Sequence, residues 1–155
     1  MKRIAIFSLA LLFSTQVAAQ LEEAAIADVL DRYHQAAATA DWDTYFDLLS
    51  EDAVFLGTDV SERWPKEVFR EYAGGRSSGW VYRARERNIN LTPDGNSAWF
   101  DEVLDSQNYG TSRGTGVLIK TSAGWKISQY HLTFPIPNAL ADKFTDEIKA
   151  WEAGQ

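Results

Sequence analysis

The chemistry open to this chain rests on a few carboxylates, two guanidinium groups and a histidine. His131 carries the side chain that titrates nearest neutrality, so it suits a general base or acid, with Asp59 or Glu102 as the carboxylate that tunes it. Arg87 and Arg113 fall opposite Glu102 when the alternating segments are paired. That trio has two readings: arginines that Glu102 orients toward an anionic ligand, or an ion-pair ladder across three strands. Asp59 and Glu62 share a polar loop, where one could act as a base, or Asp59 could close the loop by accepting backbone N–H groups. Trp64, Trp80 and Trp99 could stack on a flat ligand or simply fill a core. His34 is read as a surface residue beside the apolar stripe of the first helix. The two histidines have no metal-ligand spacing and the chain has no cysteine, so neither a metal site nor a cofactor is predicted.

These groups need elements to hold them. Residues 21–40 read as a helix, with Ile26, Val29, Leu30, Tyr33, Ala37 and Ala40 on one stripe. Asp41 can cap a short second helix through Leu49, burying Trp42, Tyr45 and Phe46. Residues 53–56 form a short strand that breaks at Gly57 into the polar loop, and Pro65 opens a helix over 66–72. From there the pattern alternates. Strands are predicted at 80–92, 97–106, 111–121 and 125–134, with hairpin turns at 93–96 and 122–124. A last helix follows Asn138, striped by Leu140, Phe144, Ile148 and Trp151. Helices followed by a long antiparallel meander make an α+β domain.

Register decides which residues meet. A four-residue turn at 93–96 sets Leu91 against Ala98, Ile89 against Phe100 and Arg87 against Glu102. A turn centred on Gln107-Asn108 sets Glu102 against Arg113, Phe100 against Thr115 and Ala98 against Val117. A three-residue loop at 122–124 then sets Ile119 against Ile127, Val117 against Gln129 and Thr115 against His131. One face would thus be apolar toward the turns and ionisable toward the other end, as in a pocket with a dry floor and a polar mouth. Arg113-Gly114-Thr115-Gly116 lies within a strand and opens no helix, which argues against a phosphate loop. Its glycines are expected to allow the sheet to bend.

The first residues are set apart. A basic start at Lys2 and Arg3, an apolar run and small residues at Val17, Ala18 and Ala19 read as a secretion leader over 1–19. The run is too short for the ~20 residues of a spanning helix. A single domain over 20–155 is expected outside the cytoplasm, with a bacterial periplasm the best match and no membrane association after cleavage. The formal net charge of −7 becomes more negative once Lys2 and Arg3 leave, which argues against gripping nucleic acid or anionic lipid surfaces.

The segments Phe55-Leu56-Gly57-Thr58-Asp59, Glu62-Arg63-Trp64, Trp99-Phe100-Asp101-Glu102, Arg113 to Leu118, His131 and Pro135-Ile136-Pro137-Asn138 resemble the SnoaL-like branch of the nuclear transport factor 2-like superfamily. The resemblance covers nearly all of 20–155. It implies a cone: a strongly bent antiparallel sheet wrapped around a long N-terminal helix, with a cavity between them, a C-terminal helix, and commonly a homodimer. It also implies a choice among functions, because the superfamily holds isomerases, cyclases, dehydratases, binders and docking domains. Tyr33 sits where a cavity tyrosine would serve. Two readings follow. One is an aromatic-lined cavity for a small organic ligand, with cofactor-free acid–base chemistry of isomerase, dehydratase or hydrolase type at His131, Asp59 and Glu102, and with Tyr33, Trp64, Trp80, Trp99, Arg87 and Arg113 contacting the ligand. The other is a non-catalytic dimeric module that docks another envelope protein.

Overall fold

The computed structural model describes residues 4–155, with side chains from Val17 onward. Within the expected leader at 1–19, residues 1–3 lie outside the described residues and 4–16 carry no described side chains. Among the described residues, no helix is long and apolar enough to cross a membrane.

Helix α1 (Ile4–Thr39) buries Ile26, Val29, Leu30, Tyr33 and Ala37 of the expected stripe together with His34 and Ala36, while Ala40 lies beyond the helix end and is only partly buried. Asp41 caps α2 (Trp42–Asp47), its Oδ1 accepting the Thr44 N–H at 3.1 Å. Strand β1 (Leu49–Leu56) begins earlier than the sequence pattern indicated, because Leu49 already pairs with the sheet at Ile127. The polar loop ends in a short strand, β2 (Arg63–Pro65), which leads into α3 (Lys66–Gly74). The meander follows as β3 (Tyr82–Leu91), β4 (Ser97–Ser106), β5 (Gly110–Thr121) and β6 (Gly124–Thr133). A 3-10 turn (Asn138–Leu140) and α4 (Ala141–Glu152) close the chain.

The six strands form one sheet in the order β2-β1-β6-β5-β4-β3, antiparallel except for the β1–β6 pair. Helix α1 lies against its inner face, and with α2 and α3 it closes over a core that runs from Ile26 and Leu30 through Phe46, Phe100 and Leu118 to Ile127. This is the expected α+β cone.

The first hairpin has the expected register, with Leu91 opposite Ala98, Ile89 opposite Phe100 and Arg87 opposite Glu102. The second is offset by one residue: Glu102 faces Gly114, Phe100 faces Gly116 and Ala98 faces Leu118. Its turn spans three residues, 107–109, and closes at Ser106 opposite Gly110, whose φ of +70° is the left-handed conformation that glycine adopts freely. The Ser106 hydroxyl accepts the N–H groups of Asn108 at 3.3 Å and Tyr109 at 3.1 Å, which locks the longer turn. Because side chains alternate, that one residue reverses β5. Ser112, Gly114, Gly116 and Leu118 face inward, while Arg113, Thr115 and Val117 face out. In the third hairpin Thr115 lies opposite His131 as expected, so His131 is carried to the outer face with it. An irregularity between Val117 and Leu118, where Ser128 is the extra residue of β6, then turns Ile127 into the core opposite Leu118.

Candidate functional site

A cavity of about 370 Å³ opens between α1, α3 and the concave sheet, and Glu102 lies behind its wall, bonded to the lining residues His34 and Tyr130. The Glu102 side chain points inward from β4 and is 0 % exposed. Its neighbour across the ladder is Gly114, and a Cβ there would strike the Tyr130 hydroxyl. The missing side chain is what lets Tyr130 reach Glu102.

Three donors converge on the carboxylate. Oε1 accepts His34 Nε2 at 2.6 Å and the Tyr130 hydroxyl at 2.9 Å, and Oε2 accepts Arg87 Nε at 2.8 Å. Arg87 Nη1 continues outward to Asp31 Oδ1 at 2.8 Å. Burial opposes the negative charge, but the His34 hydrogen bond and the Arg87 guanidinium outweigh it and hold Glu102 below the usual 4.5. An ionised carboxylate only accepts, so His34 Nε2 carries a proton. In the neutral ring Nδ1 is then the lone-pair nitrogen, and it makes no hydrogen bond among the described residues. His34 itself lines the cavity.

Beside it, the Tyr33 and Tyr45 hydroxyls bond each other, and the two rings stack at 4.2 Å. One hydroxyl donates to the other, so one phenolic proton remains free for a ligand. Burial, then the neighbouring Tyr45, pushes Tyr33 well above 10.0, while burial and the Glu102 charge do the same for Tyr130. Burial also raises Tyr45. These phenols therefore stay protonated and act as donors. The opposite wall is aromatic: Phe55 stacks on Phe69 at 4.2 Å, with Trp64, Tyr72 and Trp80 alongside. Thr58, Glu62, Arg76, Asn108 and Tyr109 also contribute to the lining.

The expected site residues divide accordingly. Tyr33, Trp64 and Trp80 line the cavity, while Glu102 and Arg87 form the layer behind it. His131 and Arg113 sit on the outer face, because the β5 reversal carries both away from Glu102. Trp99 also faces out from β4, 53 % exposed. Asp59 is exposed in its loop, where Oδ1 accepts the Ser61 N–H at 2.8 Å, the loop-closing alternative. His34, read from sequence as surface, is buried, and its ring rather than that of His131 lies against Glu102. Its spacing carried the signal: it lies four residues after Leu30 and three before Ala37, both in the buried stripe. Tyr130 alternates with the buried Leu132, the face of β6 opposite to the one expected to carry His131 inward. Among the described residues no group of three or more His, Asp or Glu side chains could hold a metal ion.

A family model of the SnoaL-like domain matches residues 26–137, most of the chain. The chain belongs to the SnoaL-like domain family. Its fold is shared with solved structures of bacterial proteins, among them one from Pseudomonas putida described as nuclear transport factor 2-like. One, from Novosphingobium aromaticivorans and provisionally named an aromatic ring hydroxylase, is 21% identical with a TM-score of 0.64, covering 75% of this chain and 90% of that one. A second from the same organism, provisionally named a scytalone dehydratase, is 12% identical with a TM-score of 0.66 and covers 78% and 89%. A third, from Parabacteroides distasonis and provisionally named a ketosteroid isomerase, is 19% identical with a TM-score of 0.58 and covers 72% and 86%. At such identities the likeness establishes the fold alone. No curated protein sequence matches the chain. The SnoaL-like fold with its aromatic-lined cavity is compatible with small-molecule binding.

Proposed function

We propose that this SnoaL-like protein is a cofactor-free acid–base catalyst, of isomerase or dehydratase type, acting on a small planar molecule held in the aromatic cavity. The observation that carries the reading is the buried Glu102–His34 pair at the cavity wall. Glu102 fixes the ring and its tautomer, which leaves His34 Nδ1 as the base that removes a proton from the ligand. The carboxylate beneath it stabilises the imidazolium that forms. Charge then develops on a ligand oxygen, and the free phenolic proton of the Tyr33–Tyr45 pair is the donor placed to meet it. In a dehydration the imidazolium returns its proton to the departing hydroxyl. In an isomerisation it returns the proton to a second carbon.

The test is deuterium incorporation at the acidic carbon of 2-tetralone in D2O, followed by NMR. The protein accelerates exchange over buffer, and His34→Ala loses that acceleration. Exchange that is as fast in His34→Ala as in the unaltered chain overturns the assignment.

A second reading rests on the last elements of the chain, where Leu140 of the 3-10 turn and Phe144, Ile148 and Trp151 of α4 are exposed. It supports a homodimer or docking to another envelope protein, a role compatible with catalysis. Trp151→Asp with Phe144→Asp then halves the mass found by light scattering, whereas an unchanged mass refutes this use of the helix. Export to the periplasm, with cleavage before Gln20, is supported by the pattern of residues 1–19 and is checked by the N-terminal mass of the protein recovered from that compartment.

A further inference from the structure

The cavity lining includes an arginine with no ion-pair partner among the described residues. Arg76 follows α3, and its main chain is pinned on both sides: its N–H donates to the Ala73 carbonyl at 2.9 Å, and its carbonyl accepts the Trp42 indole N–H at 3.0 Å. The guanidinium carbon lies 5.2 Å from the centroid of Trp80 and 5.9 Å from that of Tyr72, two rings within 9° of parallel. Glu62, the carboxylate in the same lining, is engaged in its own loop, with Oε2 accepting the Asp59 N–H at 3.2 Å.

A guanidinium held on aromatic faces keeps its N–H edge free. That edge fits a carboxylate, which can accept two parallel N–H bonds. The Phe55–Phe69 stack, with planes 21° apart, gives the cavity a wall suited to a flat ring. The chain's net charge of −7 repels anions at long range, so any preference for an acid over a neutral analogue has a local source. We propose that Arg76 is the specificity residue of this cavity, docking the carboxylate of a planar aromatic acid. The proposal rests on the reading of the cavity as an acid–base site, with the ring against the aromatic wall and the reactive end toward His34.

Isothermal titration with trans-cinnamate, 1-naphthoate and benzoate, each beside its primary amide, measures the preference without any turnover. The acids bind about tenfold tighter than the amides, the size expected of a charge-assisted hydrogen-bonded pair. Arg76→Gln removes that difference, weakening the acids far more than the amides. Arg76→Lys restores only part of it, since an ammonium lacks the planar fork. Equal affinity for acid and amide, a preference that survives Arg76→Gln, or no binding of any of the six probes overturns the proposal. An acid preference without proton exchange removes the catalytic reading and leaves the Arg76 assignment intact. Proton exchange without an acid preference does the reverse.

Discussion

Replacing Glu102 with glutamine keeps the shape of the side chain and removes its charge. In the native protein both oxygens accept, from His34, Tyr130 and Arg87. A glutamine amide has one accepting oxygen and one donating nitrogen, so it faces a donor with a donor on one side. If the nitrogen takes the Oε2 place it meets Arg87 Nε; if it takes the Oε1 place it meets both His34 and Tyr130. Breaking a buried ion pair by removing one partner costs about 3–5 kcal/mol. Arg87 keeps its bond to Asp31, which favours the lower end, although its Nη2 is already buried without a partner. A loss of about 3 kcal/mol is therefore expected, or roughly 6–12 °C in Tm for a chain of this size.

The pH profile gives an independent check. Because the folded protein holds Glu102 below its usual 4.5, the stability it contributes is present above that value. It is lost as pH falls through the lower folded value. Urea unfolding of both proteins from pH 7 to pH 3 should show the gap closing in acid as the native chain loses this contribution. A variant within 1 kcal/mol of the native protein at pH 7, with a parallel pH profile, would refute the account of Glu102 as the charged hub.

Other outcomes follow from the same geometry. Gly114→Ala sets a methyl group against the Tyr130 hydroxyl, so a loss of about 1–3 kcal/mol is expected together with slower proton exchange, read by thermal unfolding and by NMR. His131→Ala leaves proton exchange unchanged, because that ring lies on the outer face; a large loss of exchange would contradict the register described for β5 and β6. Tyr33 and Tyr130 have raised pKa values, so the stability they contribute is complete below pH 10 and is lost as pH climbs through their folded values. Phenolate absorbance should therefore show these tyrosines ionising together with unfolding, and a smooth titration of all six in the folded state would count against their burial.

Much of the architecture is local information. The stripe from Ile26 to Ala37, the Asp41 cap and the turn at residues 93–96 each rest on interactions within a few residues, and each was legible in the chain. The resemblance carried by segments from Phe55 to Asn138 covered the cone itself. Glu102 was recognised for a similar reason, since its strand follows a turn whose length the sequence states clearly.

The partners of Glu102 were a tertiary matter. Arg113 and His131 were separated from it by one residue in the 107–109 turn, where Gly110 and the Ser106 hydroxyl favour three residues over two. A period-two alternation converts that small local difference into a reversal of β5 and of the neighbours paired to it. His34 reached Glu102 across 68 positions only because α1 packs on the inner face of the sheet. Sequence alone determined most of the elements and the buried stripe of α1, while the inward face of β5 and β6 was not legible in it. The identity of the imidazole beside the carboxylate was decided by sheet register and helix docking, both set by contacts between residues far apart in the chain.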